Sequence, residues 1–483
     1  MIRISFGLFL LVILVIPNIA QAQNHEEDML TEYMNEAMKK YQIPGASLGL
    51  VQNGKVVYQE SFGKQSDGSP VTNKTLFSIG SISKPLTSLG ILKLVEKGEI
   101  ELEAPIDTYI KFDYGQSTNQ YVIKVKQLLA HTSGISSLSG MEVADKNLRG
   151  SNALTEAVKE LEPLKLVSKP GQLHQYSAAN YLLLGKIIEE QSKVPFAEYM
   201  QEAVFKDLGM SDTVASYKSA IKLGYQPGFQ SWFGKPVESN VWFDDGGAPY
   251  GYMASTLEDM LAFIRAVQYS DTLLSEPLNT LYTKPEVYRK ENLYYGLGWR
   301  INKEKNEQYI FHGGETPDSR SEIFLHNTKD YAFVLLTNKN NFSEVMNTTN
   351  MKEGIREIIE SEQISSLPEP NYQMQWITLF CTMVVTLLGI WNISRLYQKN
   401  LIFKKIWYIV AGLSILLGVF MNPLLVQLFQ SPWHTINAYA PDTALLIKIL
   451  IGVLVTYGLC SSIVISIKKE VVRTLKKGRT KIM

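Results

Sequence analysis

Cysteine is the scarcest chemistry in this chain. Only two occur in 483 residues, Cys381 and Cys460, and both fall inside long apolar runs near the C-terminus. Everything before them must therefore fold without a disulfide and depend on its own core. Histidine is sparse too: the six present show no His-Glu-x-x-His or comparable ligand spacing, so neither a catalytic metal nor another cofactor is expected. Internal repeats and low-complexity tracts are absent, which removes solenoid and linker-like architectures. Net charge is zero, with 47 basic and 47 acidic residues. That balance hides a division. Up to residue 370 there are 35 Lys and Arg against 45 Asp and Glu, and an acidic main body argues against nucleic acid or another polyanion as its ligand.

The two ends belong to a membrane protein. Residues 1–22 carry a basic start at Arg3, an apolar run from Phe6 to Ile16, and small residues at Ala20 and Ala22. This is the pattern of an export leader cleaved after Ala22. Beyond a linker over 364–375, containing "SSLPEPNYQ", lie three apolar runs near 376–393, 406–428 and 443–467, each long enough to cross a bilayer. Three such runs in succession are hard to read as a buried helical core. Arg395, Lys399, Lys404 and Lys405 follow the first run, whereas "QSPWHTINAYAPD" after the second has no Lys or Arg. The tail over 469–483 is again basic, with Arg473, Lys476, Lys477, Arg479 and Lys481 against Glu470. Both basic clusters belong on the cytoplasmic side by the positive-inside rule, leaving the body over 23–363 outside the cell and the three helices (376–468) in contact with membrane lipid.

Within that body, "ASLGLVQNGKVVYQESFG" alternates around Asn53-Gly54 and predicts a hairpin. "QYIFHGG", "RSEIFLHN" and "YAFVLLTN" predict three further strands, followed by a helix in "MKEGIREIIESEQ". The intervening pattern is mostly helical. An α+β fold follows, in which strands from both ends form one antiparallel sheet flanked by helices, around a large helical insertion. "GASLG" at 45–49 matches a nucleophile elbow, but that motif needs a helix after its turn and a hairpin strand stands here instead.

"FSIGSISKPLTSLGILKLVEKG", residues 77–98, places Ser81, Ser83 and Lys84 at the head of a helix that otherwise reads as amphipathic. A helix start exposes unpaired N–H groups and partial positive charge, a suitable place for a serine that attacks and then shelters an oxyanion. Spacing alone decides nothing, because Ser-x-x-Lys recurs at Ser61/Lys64, Ser219/Lys222 and Ser466/Lys469. Three further stretches single out Ser81: "HTSGI" at 131–135, "PGQLHQYSAANYLLLGKIIEE" around Tyr176, and "FHGGETP" with His312 on a candidate edge strand. Together with "IPGASLGLVQNGK", "LGMSDT", "YGYMASTLEDMLAFI" and "YGLGW", they resemble the penicillin-recognising serine hydrolases: class C β-lactamases, D,D-peptidases and related esterases. The resemblance covers most of 28–360 and implies a β-lactamase/transpeptidase-like fold.

It further implies Ser81 as nucleophile, Lys84 as its partner one turn on, and Tyr176 as the base of the second motif. His312, Gly313 and Gly314 stand where many relatives have Lys-Thr-Gly, and the backbone N–H groups of Ser81 and Glu315 would form the oxyanion hole. The residue types suit the chemistry. A serine hydroxyl needs an adjacent base, and a tyrosine with an ordinary pKa near 10 serves as one only beside a cation. His131 reads as structural, holding its loop by hydrogen bonds, while His312 either shapes the pocket or takes part in proton transfer.

One position departs from the family. Relatives read Tyr-Ser-Asn or Tyr-Ala-Asn, and here Tyr176-Ser177-Ala178 stands instead, without the amide that normally holds a substrate's acylamino group. Ala178 thus puts ordinary β-lactam turnover in doubt, and Asn180 is no ready substitute. The expected activity is hydrolysis of a small peptide, ester or lactam through an acyl-enzyme. The three-span architecture resembles the prodrug-activating D-amino peptidases, such as colibactin-maturing peptidases. A D,D-carboxypeptidase, a cell-wall esterase and a β-lactamase are alternatives, as is a penicillin-binding sensor acylated without turnover. The topology has a direct check: a C-terminal tag should survive protease added to spheroplasts while an epitope before residue 363 is removed, and loss of the tag would reverse the orientation.

Overall fold

The computed structural model describes residues 25–112, 121–164, 166–240, 243–304, 307–364, 366–398 and 404–480. The leader expected at 1–22, residues 399–403 of the basic loop and residues 481–483 lie outside them. The chain forms two compact units, Met1–Pro370 and Asn371–Met483.

An eight-stranded antiparallel sheet organises the first unit. Its strands are β1 (Gly45–Gln52), β2 (Lys55–Gly63), β3 (Val287–Lys290), β4 (Leu293–Tyr295), β5 (Arg300–Lys303), β6 (Gln308–Thr316), β7 (Ser319–His326) and β8 (Tyr331–Thr337), in the order β2-β1-β8-β7-β6-β5-β4-β3. The hairpin turn is the expected one, with Asn53 and Gly54 both at positive φ, 49° and 73°. Both faces of the central strands are covered, so β8 is apolar at every position but its last. Tyr331, Phe333 and Leu335 point to one core, Ala332, Val334 and Leu336 to the other. The first core is closed by helix α1 (residues 25–41) and the C-terminal helix of the unit, Val345–Ser361. The second is closed by α2 (Ser83–Glu96), α3 (Ala178–Ser192) and α4 (Leu257–Tyr269). Short strands at 287–303 and a hairpin over Phe229–Trp232 and Lys235–Glu238 escaped the sequence reading, because runs of three or four residues carry too little alternation to register.

Helix α2 corrects an expectation. It is not amphipathic: Ser83 through Leu92 are all buried, as befits a helix running through the core. Three of its polar side chains hold one segment. Thr87 Oγ1 donates to Pro249 O (2.8 Å), Lys84 Nζ to Tyr250 O (2.7 Å), and Ser83 Oγ accepts from Met253 N (3.2 Å). The 3₁₀ turn before it, Gly80–Ile82, lies directly on β6. A Cβ on Gly314 would come within 1.9 Å of Ile79 O, and one on Gly80 within 2.1 Å of Glu315 N. Hydroxyls fasten the same contact from β7, with Ser321 Oγ donating to Ile79 O (2.7 Å) and Ser319 Oγ to Ser78 O (3.0 Å).

In the second unit, helices at Gln373–Gln398, Lys405–Phe429 and Pro441–Lys468 are long and apolar enough to cross a membrane. Small residues let the second and third approach closely. A Cβ on Gly458 would meet Ala411 O at 2.6 Å, and Ser414 Oγ donates to Leu454 O at 2.8 Å.

Gly80 combines a left-handed φ of 52° with a contact that admits no side chain. Gly80→Ala should therefore cost at least about 1–2 kcal/mol. Thermal melting of the purified protein should show this as a Tm at least about 2–4 °C lower; an unchanged Tm would mean the two backbones are free to separate.

Candidate active site

Ser81 sits in the 3₁₀ turn just ahead of α2, and Lys84, one turn on, projects back toward it from the helix proper. Tyr176 arrives from the extended segment before α3. The three side chains meet: Lys84 Nζ lies 3.0 Å and Tyr176 OH 2.9 Å from Ser81 Oγ. Lys84 Nζ is also 4.7 Å from the centroid of the Tyr176 ring. Burial pushes the Lys84 ammonium below its usual range, with the Tyr176 contact opposing and the Arg300 charge reinforcing that shift.

The remaining residues singled out from sequence fall into two groups. Gly314 and Glu315 lie on β6 against the Gly80 backbone, so the amides of Ser81 and Glu315 belong to adjoining stretches of main chain. The Glu315 carboxylate points away, to Arg320 Nη1 at 2.9 Å. Ala178 is the first residue of α3 and is partly exposed two residues beyond Tyr176. His312 is buried, its ring centroid 6.3 Å from that of Tyr176. Its Nδ1 lies 2.7 Å from Gly313 O and its Nε2 3.4 Å from Tyr295 OH, and burial, then the charge of Arg300, holds it well below the ordinary imidazole range. An imidazole so placed is neutral. Its strand is not an edge strand of the sheet as expected. β6 is flanked by β5 and β7, but β5 pairs only as far as Phe311, so one edge lies open from His312 to Thr316.

His131 holds the second motif in place. Its Nδ1 accepts from Ser177 N (3.2 Å) and from Asn180 Nδ2 (2.8 Å), which leaves the ring proton on Nε2. Asn180 Oδ1 accepts in turn from Ser133 Oγ at 2.6 Å. Asn180 is therefore fully buried and committed, and does not supply the amide missing at Ala178.

Several residues at the site went unread in the sequence. The Tyr250 carbonyl anchors Lys84, and a main-chain acceptor leaves no trace in residue type. Arg300 lies with its guanidinium 5.8 Å from the Tyr176 ring centroid, and its buried Nε has no partner among the described residues. Arg289 is near enough that burial and then the Arg300 charge push it down, and His174 is lowered to about 4 by burial followed by both arginines. Among the described residues neither guanidinium forms an ion pair. The one available signal was the position of Arg300 directly after "YGLGW".

A serine met by a buried lysine and a tyrosine, in a helix-start turn lying against an antiparallel sheet, defines the class of β-lactamase and transpeptidase folds. The Beta-lactamase family model matches residues 30–355, and the chain belongs to that family. It is 28% identical over 407 residues to Protein flp of Staphylococcus aureus (strain MW2), covering 78% of this chain and 76% of that one. It is 25% identical over 325 residues to Penicillin-binding protein 4* of Bacillus subtilis (strain 168), covering 63% and 70%. Among solved structures, the octameric penicillin-binding protein homologue from Pyrococcus abyssi superposes with a TM-score of 0.59 at 26% identity, over 64% of this chain and 73% of that one. The penicillin binding protein from Bacillus halodurans shares the fold, with a TM-score of 0.56 at 19% identity over 68% and 98%.

The Ser133–Asn180–His131 chain carries its own test. Asn180→Leu leaves the Ser133 hydroxyl and His131 Nδ1 short of a buried partner, at a cost of about 1–3 kcal/mol. Denaturant unfolding should report that loss, and wild-type stability in the variant would show that the chain contributes nothing.

Proposed function

We propose that this protein is a membrane-anchored, extracytoplasmic serine hydrolase that forms an acyl-enzyme on Ser81, acting on a D-amino-acid-containing peptide. The observation that carries the reading is the convergence of Lys84 Nζ and Tyr176 OH on Ser81 Oγ. In this reading Ser81 Oγ attacks the substrate carbonyl carbon, and its proton passes to the Lys84–Tyr176 pair. The N–H groups of Ser81 and Glu315 receive the oxyanion, a contribution of about 3–4 kcal/mol for each such donor. The same pair returns the proton to the leaving amine, and a water then repeats the sequence to free the serine. A lysine disfavoured as a cation by burial gives up its proton more readily than a free one, which suits it to a share in the proton transfer.

Ala178 supports the preference for a peptide over a lactam. It leaves unmade the hydrogen bond that an amide would give to an acylamino group, and opens room for a polar D-side chain. A second reading, D,D-carboxypeptidase, is favoured by the arginines. Two guanidiniums beside Tyr176, without ion-pair partners among the described residues, suit a carboxylate on the leaving group. The three apolar helices and the charge asymmetry around them support the membrane anchor.

The test is a screen of purified full-length protein against N-acyl-D-amino peptides, D-Ala-D-Ala peptides, short esters and a chromogenic cephalosporin. Ser81 should be the serine labelled by a fluorophosphonate, and Ser81→Ala should remove labelling and lower hydrolysis by at least about three orders of magnitude. The best D-amino substrate should exceed any penicillin or cephalosporin at least tenfold in kcat/KM, an order-of-magnitude estimate, and Ala178→Asn should narrow that gap. Arg300→Gln should raise KM about 10–100-fold for a substrate with a free carboxylate and leave its amide unaffected if the carboxypeptidase reading holds. Adducts on other serines, or best turnover of cephalosporins, would overturn the assignment.

A further inference from the structure

Lys84 is 1% exposed, and its Nζ donates to Ser81 Oγ and Tyr250 O, neither of them a carboxylate. One nearby carboxylate charge nevertheless favours its cationic form, that of Asp145. Asp145 is itself buried, in a left-handed backbone conformation (φ 58°), and is tied to the segment that holds the lysine. Tyr252 OH donates to Asp145 Oδ1 at 2.6 Å, and Asp145 N donates to Tyr250 OH at 3.0 Å. The carbonyl of that same Tyr250 accepts from Lys84 Nζ at 2.7 Å.

The segment between them is a knot. The N–H groups of Tyr250, Gly251 and Tyr252 all donate to Gly247 O, at 3.0, 2.9 and 3.2 Å. Gly247 N donates to Asp244 Oδ1, and Asp244 Oδ2 accepts from Lys146 N beside Asp145. A Cβ on Gly247 would come within 2.6 Å of Tyr250 OH, so the ring of Tyr250 packs directly on the backbone that its own N–H is bonded to. A displacement of Asp145 would therefore be passed to the Tyr250 carbonyl.

We propose that Asp145 is a positioning residue for the chemistry at Ser81: it fixes, through the Tyr250–Tyr252 knot, the carbonyl that holds Lys84 Nζ, and its negative charge balances that buried ammonium. This extends the nucleophile assignment made above and rests on it. The groups facing Lys84 are Tyr176 from the second motif, Tyr181 from α3, Tyr250 from the knot, the imidazoles of His131 and His312, and the guanidinium of Arg300. Both imidazoles are held neutral, which leaves Arg300 as the opposing charge. Asp145 is met by Tyr250 and Tyr252, and the groups beside it include Asp244, raised to about 7 by burial and then by Asp145 itself. The Lys146 ammonium is engaged by Glu160.

The sign of the effect follows from charge. Without the carboxylate the cationic state of the site loses support, and the proton on the base, whichever side chain carries it, leaves at lower pH. The experiment is the pH dependence of the second-order rate of Ser81 labelling by a fluorophosphonate, on the full chain in detergent. Asp145→Asn keeps an oxygen for Tyr252 OH and removes the charge. It should move the acid limb of the profile down by about half a pH unit, and Asp145→Glu should restore the wild-type limb. Because Asp244 titrates near neutrality, the comparison is repeated in Asp244→Asn, where the same displacement is expected. A slower rate with an unmoved limb would reduce Asp145 to a folding role and overturn the proposal. If Asp145→Asn does not accumulate, Tyr252→Phe decides: it frees the carboxylate from its anchor and should move the limb the same way, and an unmoved limb overturns the proposal. Absence of Ser81 labelling in the wild type would instead overturn the nucleophile assignment, and this inference with it.

Discussion

Burying an ammonium group without an ion-pair partner is costly, and the first unit is arranged around that cost at Lys84. Removal from water alone would cost several kcal/mol, so a cation in such a place must be hydrogen-bonded or easily neutralised. The chain supplies acceptors at Ser81 Oγ and Tyr250 O and the face of the Tyr176 ring. Each comes from a different part of the sequence. The lysine consequently fixes the relative positions of the helix-start turn, the segment over 249–253 and the second motif, and Ser83 and Thr87 on α2 add two further bonds to that segment.

A second constraint is steric. The turn at Gly80 and the strand at Gly314 approach so closely that neither accepts a Cβ, and hydroxyls of Ser319 and Ser321 lock the approach. The insertion carrying Ser81 and the sheet carrying Glu315 are joined there backbone to backbone. Side chains elsewhere in the core can be repacked at modest cost. These two glycines cannot be exchanged without moving one layer off the other.

Legibility in the sequence followed the range of the interactions. Asn53-Gly54 announced its hairpin because the signal is carried by two adjacent residues, and the pattern of β6 to β8 was visible because each strand is long. Ser81, Lys84 and Tyr176 were found as members of motifs. The burial of α2 was not, since Ser83, Lys84, Thr87 and Ser88 look like a solvent-facing stripe until their partners at 181 and 249–253 are known. Arg289 and Arg300 were missed because residue type does not show which side chains an arginine will face, and only the position of Arg300 after "YGLGW" gave a local sign. Asn180, set aside in the sequence as no substitute for the missing amide, proved to be engaged by Ser133 and His131.

The open edge of β6 sets a scale on what the site can grip. From His312 to Thr316, about 17 Å, the strand is paired with β7 on one side only, so alternate residues turn their backbone groups to the open side before β5 closes it at one end. An extended chain laid there meets a short ruler and not a track. Only a few residues of such a chain can share the edge at once.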